Sequence, residues 1–468
     1  MYTNYLKLGF RNLIKNKLSS FINITGISMA IGCTMVVFVF LDTWFTMDEF
    51  HSKLDRIQVI ERIAENQYGK QEFLSESPVP VGDLMVEKFP QIKSRVRMNY
   101  VNALVKQGDR VFKDQITFTD DEFYTLFDFP LKWGNRNSVV SQNGIVLSEA
   151  LSEKIYGDEN PVGKIIELIF NHEGEDLKEG FTITGVMKDK KLNASFHYSA
   201  LVPFSKMVSL GLTKRDDWSN YTDITFIELE SKTSKLPSNT ACSELLALHN
   251  AANKDSKIEA FHFQPLSEMQ FHSYKLKYSR FANTHIIGLI MLISIAIGVL
   301  LLAFFNYMNI TIASASGRLK EIGIRKVIGS ERRQIIVQFL VENLVLCIAA
   351  LILGMILTKL LFLPWFSRLI INDLSEGLFT NSHVWLTLGI LTILSEFRGA
   401  AYPAIYISSL QPVAIVKGNP GLGNKNVFRK SLLGFQFCIT FLGISMALAF
   451  TRESKLSRSK SWGYDPSG

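Results

Sequence analysis

Five long apolar runs divide this sequence, and they restrict the possible folds more than any other feature does. An apolar helix of about 20 residues crosses the ~30 Å hydrocarbon core of a bilayer. The second run carries no acidic or basic side chain apart from His285, and the fourth spans only if the following residues continue it. The runs cover residues 18–45, 284–313, 335–357, 383–394 and 431–450. They predict an α-helical integral membrane protein of about five spans.

The first run has an alternative interpretation as the apolar core of a secretory signal peptide, because Lys7, Arg11, Lys15 and Lys17 precede it. Such cores are about 7–15 residues long and end at a small-residue cleavage site. This run is longer and lacks an A-x-A step. We therefore expect an uncleaved first span that follows a basic N-terminal stretch.

The basic residues beside the runs predict their orientation, because cytoplasmic loops of membrane proteins carry an excess of Lys and Arg. The chain has a net charge of +7, and its basic residues gather at the N-terminus and within residues 313–334 and 411–430. We expect these three parts in the cytoplasm. The basic residues of 451–468 follow the fifth run and violate the rule.

A polar insert occupies residues 46–281, between the first two runs, and it is long enough for one or two soluble subdomains. The β-branched segments 181–186 and 224–229 are bounded by turn residues and predict strands. The apolar spacing of residues 148–157 predicts a helix. We expect a large mixed α+β extracytoplasmic domain inserted between spans 1 and 2.

The sequence contains no recognisable catalytic, cofactor-binding or metal-ligating motif. The histidines of the insert are scattered, and the four cysteines form no CxxC pair. Asp120, Asp121 and Glu122 form an acidic cluster that either binds a metal ion or, as we expect, begins a helix from a solvated turn. Residues 418–425 come nearest to a phosphate-binding loop but lack its Gly-Lys pair, so we predict no ATP hydrolysis by this chain alone.

The stretch at residues 316–334 places charged side chains between two apolar runs. Arg318, Arg325 and Arg332 are spaced at seven residues, so a continuous helix brings them to one face. Glu321 precedes Arg325 by four residues, which is the favourable order for a helical ion pair. The predicted short basic helix can anchor to anionic headgroups, bind nucleic acid or dock to a cytoplasmic protein. The charges alone slightly favour anchoring.

Several segments resemble one family, the FtsX-like, MacB-type ABC permeases, in their long Bacteroidetes-type form. RLKEIGIRKVIGSERRQIIVQFLVENLVL, from Arg318, resembles the motif after the family's second span. FTMDEFHSKLDRIQVI, from Phe45, is similar to the motif after its first span. GIVLSEALSEKIYGDENPVGK and FQPLSEMQFHS look like parts of its periplasmic core domain. The segments keep the family's order along almost the whole chain.

The resemblance implies a non-catalytic, multi-pass permease of the inner membrane, without a cofactor, that works with an ABC-type ATPase. Such permeases transmit ATP-driven motion to a periplasmic domain, for efflux, lipoprotein handling or cell-envelope regulation. The other implied partners are a second permease or permease half in a dimer, membrane lipids and periplasmic adaptor or envelope proteins, but no nucleic acid. The charged stretch would be the coupling helix beneath the ATPase. Its expected coupling residues are Arg318, Lys320, Glu321, Gly323, Arg325, Lys326 and Gly329.

The resemblance also implies a division of the chain. A cytoplasmic N-terminal helix (1–17) and span 1 (18–45) precede the periplasmic core domain (46–281). The permease domain (284–410), with spans 2–4 and its coupling loop (313–334), follows that domain. A cytoplasmic loop (411–430), span 5 (431–450) and the start of a second extracytoplasmic region (451–468) end the chain.

The sequence departs from the family in two places. Glu396 and Arg398 lie where the family has small and apolar residues. Long members also repeat the whole plan, so we expect the N-terminal half plus the first span of the second half, from a truncated gene, a split gene or a cloning boundary. Two rival functions remain open: a membrane-anchored extracytoplasmic sensor or binding protein without an ATPase, and a nonfunctional fragment.

Overall fold

The computed structural model describes residues 7, 10, 11, 13–15, 17–135, 143–172, 174–188, 193–254, 256–282, 285–317, 319–370, 382–396 and 425–459. The chain divides into two compact units. Thr43–Gly288 form the first, and Met1–Asp42 with Leu289–Gly468 form the second.

The unit Thr43–Gly288 is built around β-strands that are rich in β-branched and aromatic residues, the composition that suits a half-buried pleated surface. Its strands are β1 (Ile57–Glu65), β2 (Gln71–Leu74), β3 (Ser77–Pro78), β4 (Ile92–Gln107), β5 (Arg110–Thr119), β6 (Leu131–Gly134), β7 (Gly144–Ser148), β8 (Ile165–His172), β9 (Glu175–Met187), β10 (Ala200–Pro203), β11 (Tyr221–Thr222), β12 (Ile224–Leu229), β13 (Ala260–Pro265) and β14 (Leu276–Lys277). Of the strands in the described ranges, twelve form one mixed sheet, and β3 pairs with β11.

The large sheet runs in the order β14-β2-β1-β12-β4-β5-β10-β7-β9-β6, with β13 on β1 and β8 on β4 and β9. Most pairs are antiparallel, while β5–β10, β7–β9 and β2–β14 are parallel. In the antiparallel pair β1–β13, Glu61 lies opposite His262. Directly opposed residues of such a pair project to the same face of the sheet.

Short helices connect these strands. The long helix α1 (Lys17–Phe45) leads into the unit. The short helices are α2 (Val81–Lys88), α3 (Phe123–Leu126), α4 (Glu149–Tyr156), α5 (Phe204–Ser209), α6 (Ser243–Ala252) and α7 (Met269–His272). α4 begins at Ser148, whose Oγ accepts a hydrogen bond from the Leu151 N–H at 3.1 Å. A side-chain acceptor at this position satisfies one of the free N–H groups of the first turn. The predicted helix at 148–157 and the strands at 181–186 and 224–229 are confirmed.

The core of this unit is unusually aromatic. Phe123, Phe127, Phe196 and Phe226 are all fully buried. The Phe127 ring meets the Phe226 ring edge-on, with centroids 4.9 Å apart. Such edge-to-face pairs add about 0.5–1.5 kcal/mol beyond the burial of their area. The predicted mixed α and β domain is therefore present, with a core of its own.

The second unit consists of helices, most of which are apolar. They are α8 (Ile286–Gly317), α9 (Leu319–Val327), α10 (Arg332–Leu357), a π-helical turn (Thr358–Phe362), α11 (Leu363–Ile370), α12 (Ser382–Glu396) and α13 (Lys425–Ser459), together with most of α1. Within the described ranges, three helical stretches are long and apolar enough to cross a membrane: Lys17–Phe45, Ile286–Thr311 and Arg332–Arg368. Leu433–Met446 in α13 is a shorter apolar stretch.

The five expected spans stay predictions, and the structure describes the fourth only in part. α12 is too short to span alone, and the residues expected to continue it, from 397 onwards, lie outside the described residues. Of the departures noted in the sequence, Arg398 also lies outside them, and only the backbone of Glu396 is described.

α1 and α10 pack backbone to backbone. The Ser28 Oγ donates a hydrogen bond to the Ala350 carbonyl oxygen at 2.9 Å. A Cβ placed on Gly354 would lie 3.1 Å from both the Ser28 carbonyl oxygen and the Ile31 Cγ2. Small residues at such crossings let the helix backbones approach, which is how apolar helices gain packing energy in lipid.

Replacing Gly354 with valine should therefore force these helices apart and lower the stability of the purified chain in detergent by about 1–3 kcal/mol. The measurement is the midpoint of thermal unfolding. Gly389→Val is the matched control, since a Cβ at Gly389 meets nothing within 4 Å among the described atoms. Equal midpoints for the two variants would contradict this account of the crossing.

Candidate functional site

The predicted coupling segment folds as a short helix followed by a tight elbow. α9 covers Leu319–Val327, and Gly329 adopts a φ of +103° just after it. The Ser330 N–H donates to the Arg325 carbonyl at 2.9 Å, and the Gly329 N–H donates to the Lys326 carbonyl at 3.1 Å. These two bonds form a Schellman cap, which favours glycine because of the left-handed φ.

The next helix begins immediately with a cap of its own. In α10 the Glu331 side chain accepts from the backbone of Gln334, while the Gln334 side chain accepts from the Glu331 N–H at 3.1 Å. A capping box of this kind satisfies two of the free N–H groups at the helix start. Two caps in succession hold the angle between α9 and α10 with few freely rotating bonds.

Side-chain bonds tie the same two helices together. The Arg325 Nη1 donates to the Gln338 Oε1 at 2.7 Å, and the Gln338 Nε2 donates to the Glu342 Oε1 at 2.8 Å. Arg325 thus connects α9 to the helix that follows the elbow. The guanidinium charge strengthens the first bond relative to one between neutral groups.

Apolar side chains cover one side of the segment. Ile324, Val327 and Ile328 are 57%, 69% and 79% exposed, and their spacing places them together on a helix. Burial, and secondarily the charge of Arg332, lowers the pKa of Lys326. The segment therefore offers exposed apolar surface beside basic groups.

The structure describes the seven expected coupling residues unevenly. Arg318 lies outside the described residues, and Lys320 and Glu321 lie in α9 with side chains outside the description. Gly323 is buried within α9, and Gly329 makes the elbow. The predicted Glu321–Arg325 pair stays a prediction. The spacing of neighbouring residues does not predict the bond of Arg325 to α10.

The acidic cluster at Asp120 is only partly solvated. α3 does begin three residues after Asp120, but Asp120 is buried and holds the buried Arg97. The Arg97 Nη2 lies 2.8 Å from Oδ1 of Asp120, and its Nε lies 3.0 Å from Oδ2. Arg95 contacts Asp120 and also Glu122, at 3.2 Å and 3.0 Å. Asp120 and Glu122 therefore pair with arginines, so the expected helix start is present but the expected solvation does not extend to Asp120.

Asp48, near the start of the domain, and Ala282, near its end, both bond to one short segment. The Asp48 N–H donates to the Asn193 carbonyl at 2.8 Å, and the Asp48 Oδ1 accepts from the Ser195 N–H at 2.9 Å. The Ala282 N–H donates to the Ser195 carbonyl at 2.6 Å. We call residues 193–195 the clasp. Burial raises the pKa of Asp48 to about 6, and its bonds to Ser195 offset only part of this effect.

A second polar cluster has no signal in the sequence. Glu61, His262 and His272 bring their side chains to one point, although the histidines lie 201 and 211 residues after the carboxylate. Both histidines are visible in the sequence, but it is the pairing of β1 with β13 that brings His262 to Glu61, and α7 that brings His272.

Two family models match the chain. The model of the MacB-like periplasmic core domain matches residues 20–235. The model of the FtsX-like permease C-terminal region matches residues 293–412.

Two curated relatives each match more than half of the chain. The macrolide export ATP-binding/permease protein MacB of Bdellovibrio bacteriovorus is 24% identical over 273 residues, which cover 58% of this chain and 38% of that protein. The uncharacterised ABC transporter permease YknZ of Bacillus subtilis is 28% identical over 255 residues, which cover 54% of this chain and 52% of that protein. The matched part thus spans between about a third and a half of each relative.

Two solved structures share low similarity with this chain. The periplasmic region of MacB from Actinobacillus actinomycetemcomitans has a TM-score of 0.31 and 16% identity, covering 47% of this chain and 94% of its own. The extracellular domain of YknZ from Gram-positive bacteria has a TM-score of 0.29 and 13% identity, covering 43% and 98%.

Proposed function

Since this chain belongs to the family of FtsX-like, MacB-type ABC permeases, we propose that it transmits the work of a separate ABC-type ATPase to its periplasmic core domain. The family is the permease component of ABC transporters and is typically non-catalytic. In this proposal the partner hydrolyses ATP, and this chain transmits the resulting movement to its periplasmic core domain.

The elbow between α9 and α10 is the observation that carries the proposal. An element that transmits force has to be stiff, and here a Schellman cap and a capping box stand back to back. The chain of bonds from Arg325 through Gln338 to Glu342 continues the link into α10. A headgroup anchor needs basic charge but has no need of these bonds.

The exposed apolar residues favour a protein partner for the segment. Ile324, Val327 and Ile328 are all more than half exposed. We propose that they enter a cleft of the ATPase, with Lys320, Glu321, Arg325 and Lys326 supplying polar contacts around them. Of the seven coupling residues, Gly323 and Gly329 then act through the backbone, and Arg318 completes the basic side.

The membrane arrangement is part of the same proposal. The N-terminus lies in the cytoplasm, residues 46–281 lie in the periplasm, and five spans cross the inner membrane. The exposure of α8 supports a further partner, because only 11% of its most apolar 18 residues is buried within the chain. We propose that lipid and a second permease or permease half cover this surface. Efflux, lipoprotein handling and envelope regulation are the candidate tasks, with adaptor proteins as further partners.

Co-purification with the ABC-type ATPase encoded nearest to this chain tests the proposal. We expect the wild-type chain to retain the ATPase in detergent, and Glu321→Lys with Arg325→Glu to reduce the retained amount by at least about tenfold. The matched control reverses an exposed ion pair of the periplasmic unit, Asp55→Lys with Lys232→Glu, whose atoms lie 2.7 Å apart.

The outcomes separate the coupling hypothesis from its two rivals. A wild-type chain that retains no ATPase favours the sensor or the nonfunctional fragment. Retention that the coupling variant leaves unchanged shows that the ATPase docks elsewhere, and the coupling assignment then fails. A loss in the control variant as well would reflect general damage and would also count against the assignment.

A further inference from the structure

Three metal-ligating side chains meet in the periplasmic unit. The Nδ1 of His262 and the Nε2 of His272 each lie 3.0 Å from the same oxygen, Oε2 of Glu61. The three atoms all lie within 4.8 Å of one another. Ligand atoms of a tetrahedral zinc ion stand about 3.3 Å apart, given bond lengths near 2.0–2.1 Å. Small side-chain rotations would bring these three atoms to that spacing.

Three different elements hold the cluster in place. Glu61 on β1 and His262 on β13 are directly opposed across an antiparallel pair. His272 is the last residue of α7, which follows β13 after a short turn. Because two ligands lie on rigid strands, the sheet sets their separation and α7 brings in the third. Such pre-arrangement favours binding of an ion over a chance surface contact.

A phenylalanine fixes the orientation of both imidazoles. The ring of Phe73, on β2, meets the His262 ring at 81° and the His272 ring at 89°, with centroids 5.4 Å and 5.6 Å apart. The two imidazoles themselves are nearly parallel, at 23°. Apolar packing behind the rings leaves their nitrogen atoms directed at Glu61.

The carboxylate supplies an independent observation. The Glu61 side chain is fully buried, and its Oε1 has no hydrogen-bond partner among the described residues. Within the same set, no Lys or Arg nitrogen lies within 4 Å of either Glu61 oxygen, and the two histidines are its hydrogen-bond partners. A buried carboxylate with one unpaired oxygen costs free energy, which a bound cation would recover.

We propose that Glu61, His262 and His272 bind a divalent transition-metal ion of the zinc class. Imidazole and carboxylate suit Zn²⁺ and its neighbours, whereas Ca²⁺ and Mg²⁺ prefer oxygen ligands alone. Three protein ligands leave a fourth position for water or for a donor from a bound molecule. That position lies toward His262, whose side chain is 37% exposed, rather than toward His272 at 12%.

The bound ion would tie α7 to the sheet. A metal ion binds an unprotonated imidazole nitrogen, so binding would replace the hydrogen bonds that join both rings to Glu61. The inference is independent of the coupling segment, since all three ligands lie in the unit Thr43–Gly288.

The test uses the full chain in detergent after chelator treatment and dialysis. Titration with Zn²⁺, followed by elemental analysis, should give one tightly held ion per chain. Co²⁺ should give the visible absorption of a low-coordinate site. We expect His262→Gln and Glu61→Gln each to weaken Zn²⁺ binding by at least about a hundredfold, since even groups that only orient a ligand cost 10–100-fold.

His172→Gln is the matched control, because this histidine lies at the end of β8, outside the cluster. It should bind Zn²⁺ as the wild-type chain does. If Glu61→Gln fails to fold, His262→Gln decides the matter, since its side chain is partly exposed and thermal unfolding in chelator reports on its fold. A wild-type chain that retains no ion overturns the proposal, as does undiminished binding by a folded His262→Gln variant.

Discussion

Replacing Asp120 with alanine is expected to destabilise the periplasmic unit by about 3–5 kcal/mol. The Arg97 side chain is only 1% exposed, and Asp120 takes both of its forked bonds. Asp120 also accepts from the Arg97 backbone N–H at 2.8 Å. Without the carboxylate, a buried guanidinium and a buried N–H lose these acceptors, and each unsatisfied group costs free energy.

The remaining partners of Arg97 compensate only in part. Its Nη1 contacts the Val79 carbonyl and the Asp83 carboxylate, and its guanidinium lies 4.1 Å from the centroid of the Phe204 ring. Burial alone would raise the pKa of Asp83, but Arg97 and Arg95 outweigh it and lower that pKa. Asp83 is therefore already engaged and cannot supply the missing bonds.

Thermal unfolding of the purified chain measures this effect. A loss of 3–5 kcal/mol corresponds to a decrease of roughly 6–20 °C in the midpoint for a unit of this size. Asp121→Ala is the control, because Asp121 is adjacent and exposed. It should change stability by no more than about 0.5 kcal/mol. If the two alanine variants have the same unfolding midpoint, the stability of the buried arginine does not depend on Asp120.

Asp48→Asn is expected to remove a pH dependence of about 3 kcal/mol. The pKa of Asp48 rises from 3.8 to about 6 in the folded chain. Between these values the unfolded state releases its proton while the folded state keeps it, so wild-type stability falls as pH rises from about 4 to about 6. Two pKa units correspond to roughly 3 kcal/mol. Asparagine does not titrate, and it tolerates the φ of 63° found at this position.

The measurement compares thermal midpoints of the two chains at pH 4 and pH 7.5. Relative to the wild-type chain, the variant should gain about 3 kcal/mol between the lower and the higher pH. Asp55→Asn is the control, since Asp55 is well exposed and pairs with Lys232 across the surface. Parallel pH profiles for wild type and Asp48→Asn would show that Asp48 titrates normally.

Local signals explain what could be predicted of the fold. The strand at 224–229 follows from a β-branched run between turn residues, and the helix at 148–157 follows from apolar spacing, so each signal lies within a few neighbouring positions. The long apolar runs likewise predict helices, since lipid requires every backbone group to be bonded within its own segment. The family was also accessible, because its motifs are continuous in the chain.

The clusters depend on pairing and could not be predicted. Arg97 looks like an exposed charge on a strand, and only the β4–β5 ladder, with Met98 opposite Thr119, brings it to Asp120. The meeting of Glu61 with two histidines similarly depends on the register of β1 and β13. A shift of one residue would move either charge to the opposite face. Charge composition therefore suggested solvated groups where the fold buries them.

The clasp has a consequence for how such a chain can evolve. Asp48, at the beginning of the periplasmic unit, and Ala282, at its end, bond to neighbouring residues of one short segment. A unit whose two ends are held side by side by its own backbone can be exchanged between host proteins without redesign of its interior. Lineages could therefore replace or enlarge this module while they retain the membrane helices. The same property makes Thr43–Gly288 a natural cassette for grafting into an unrelated loop.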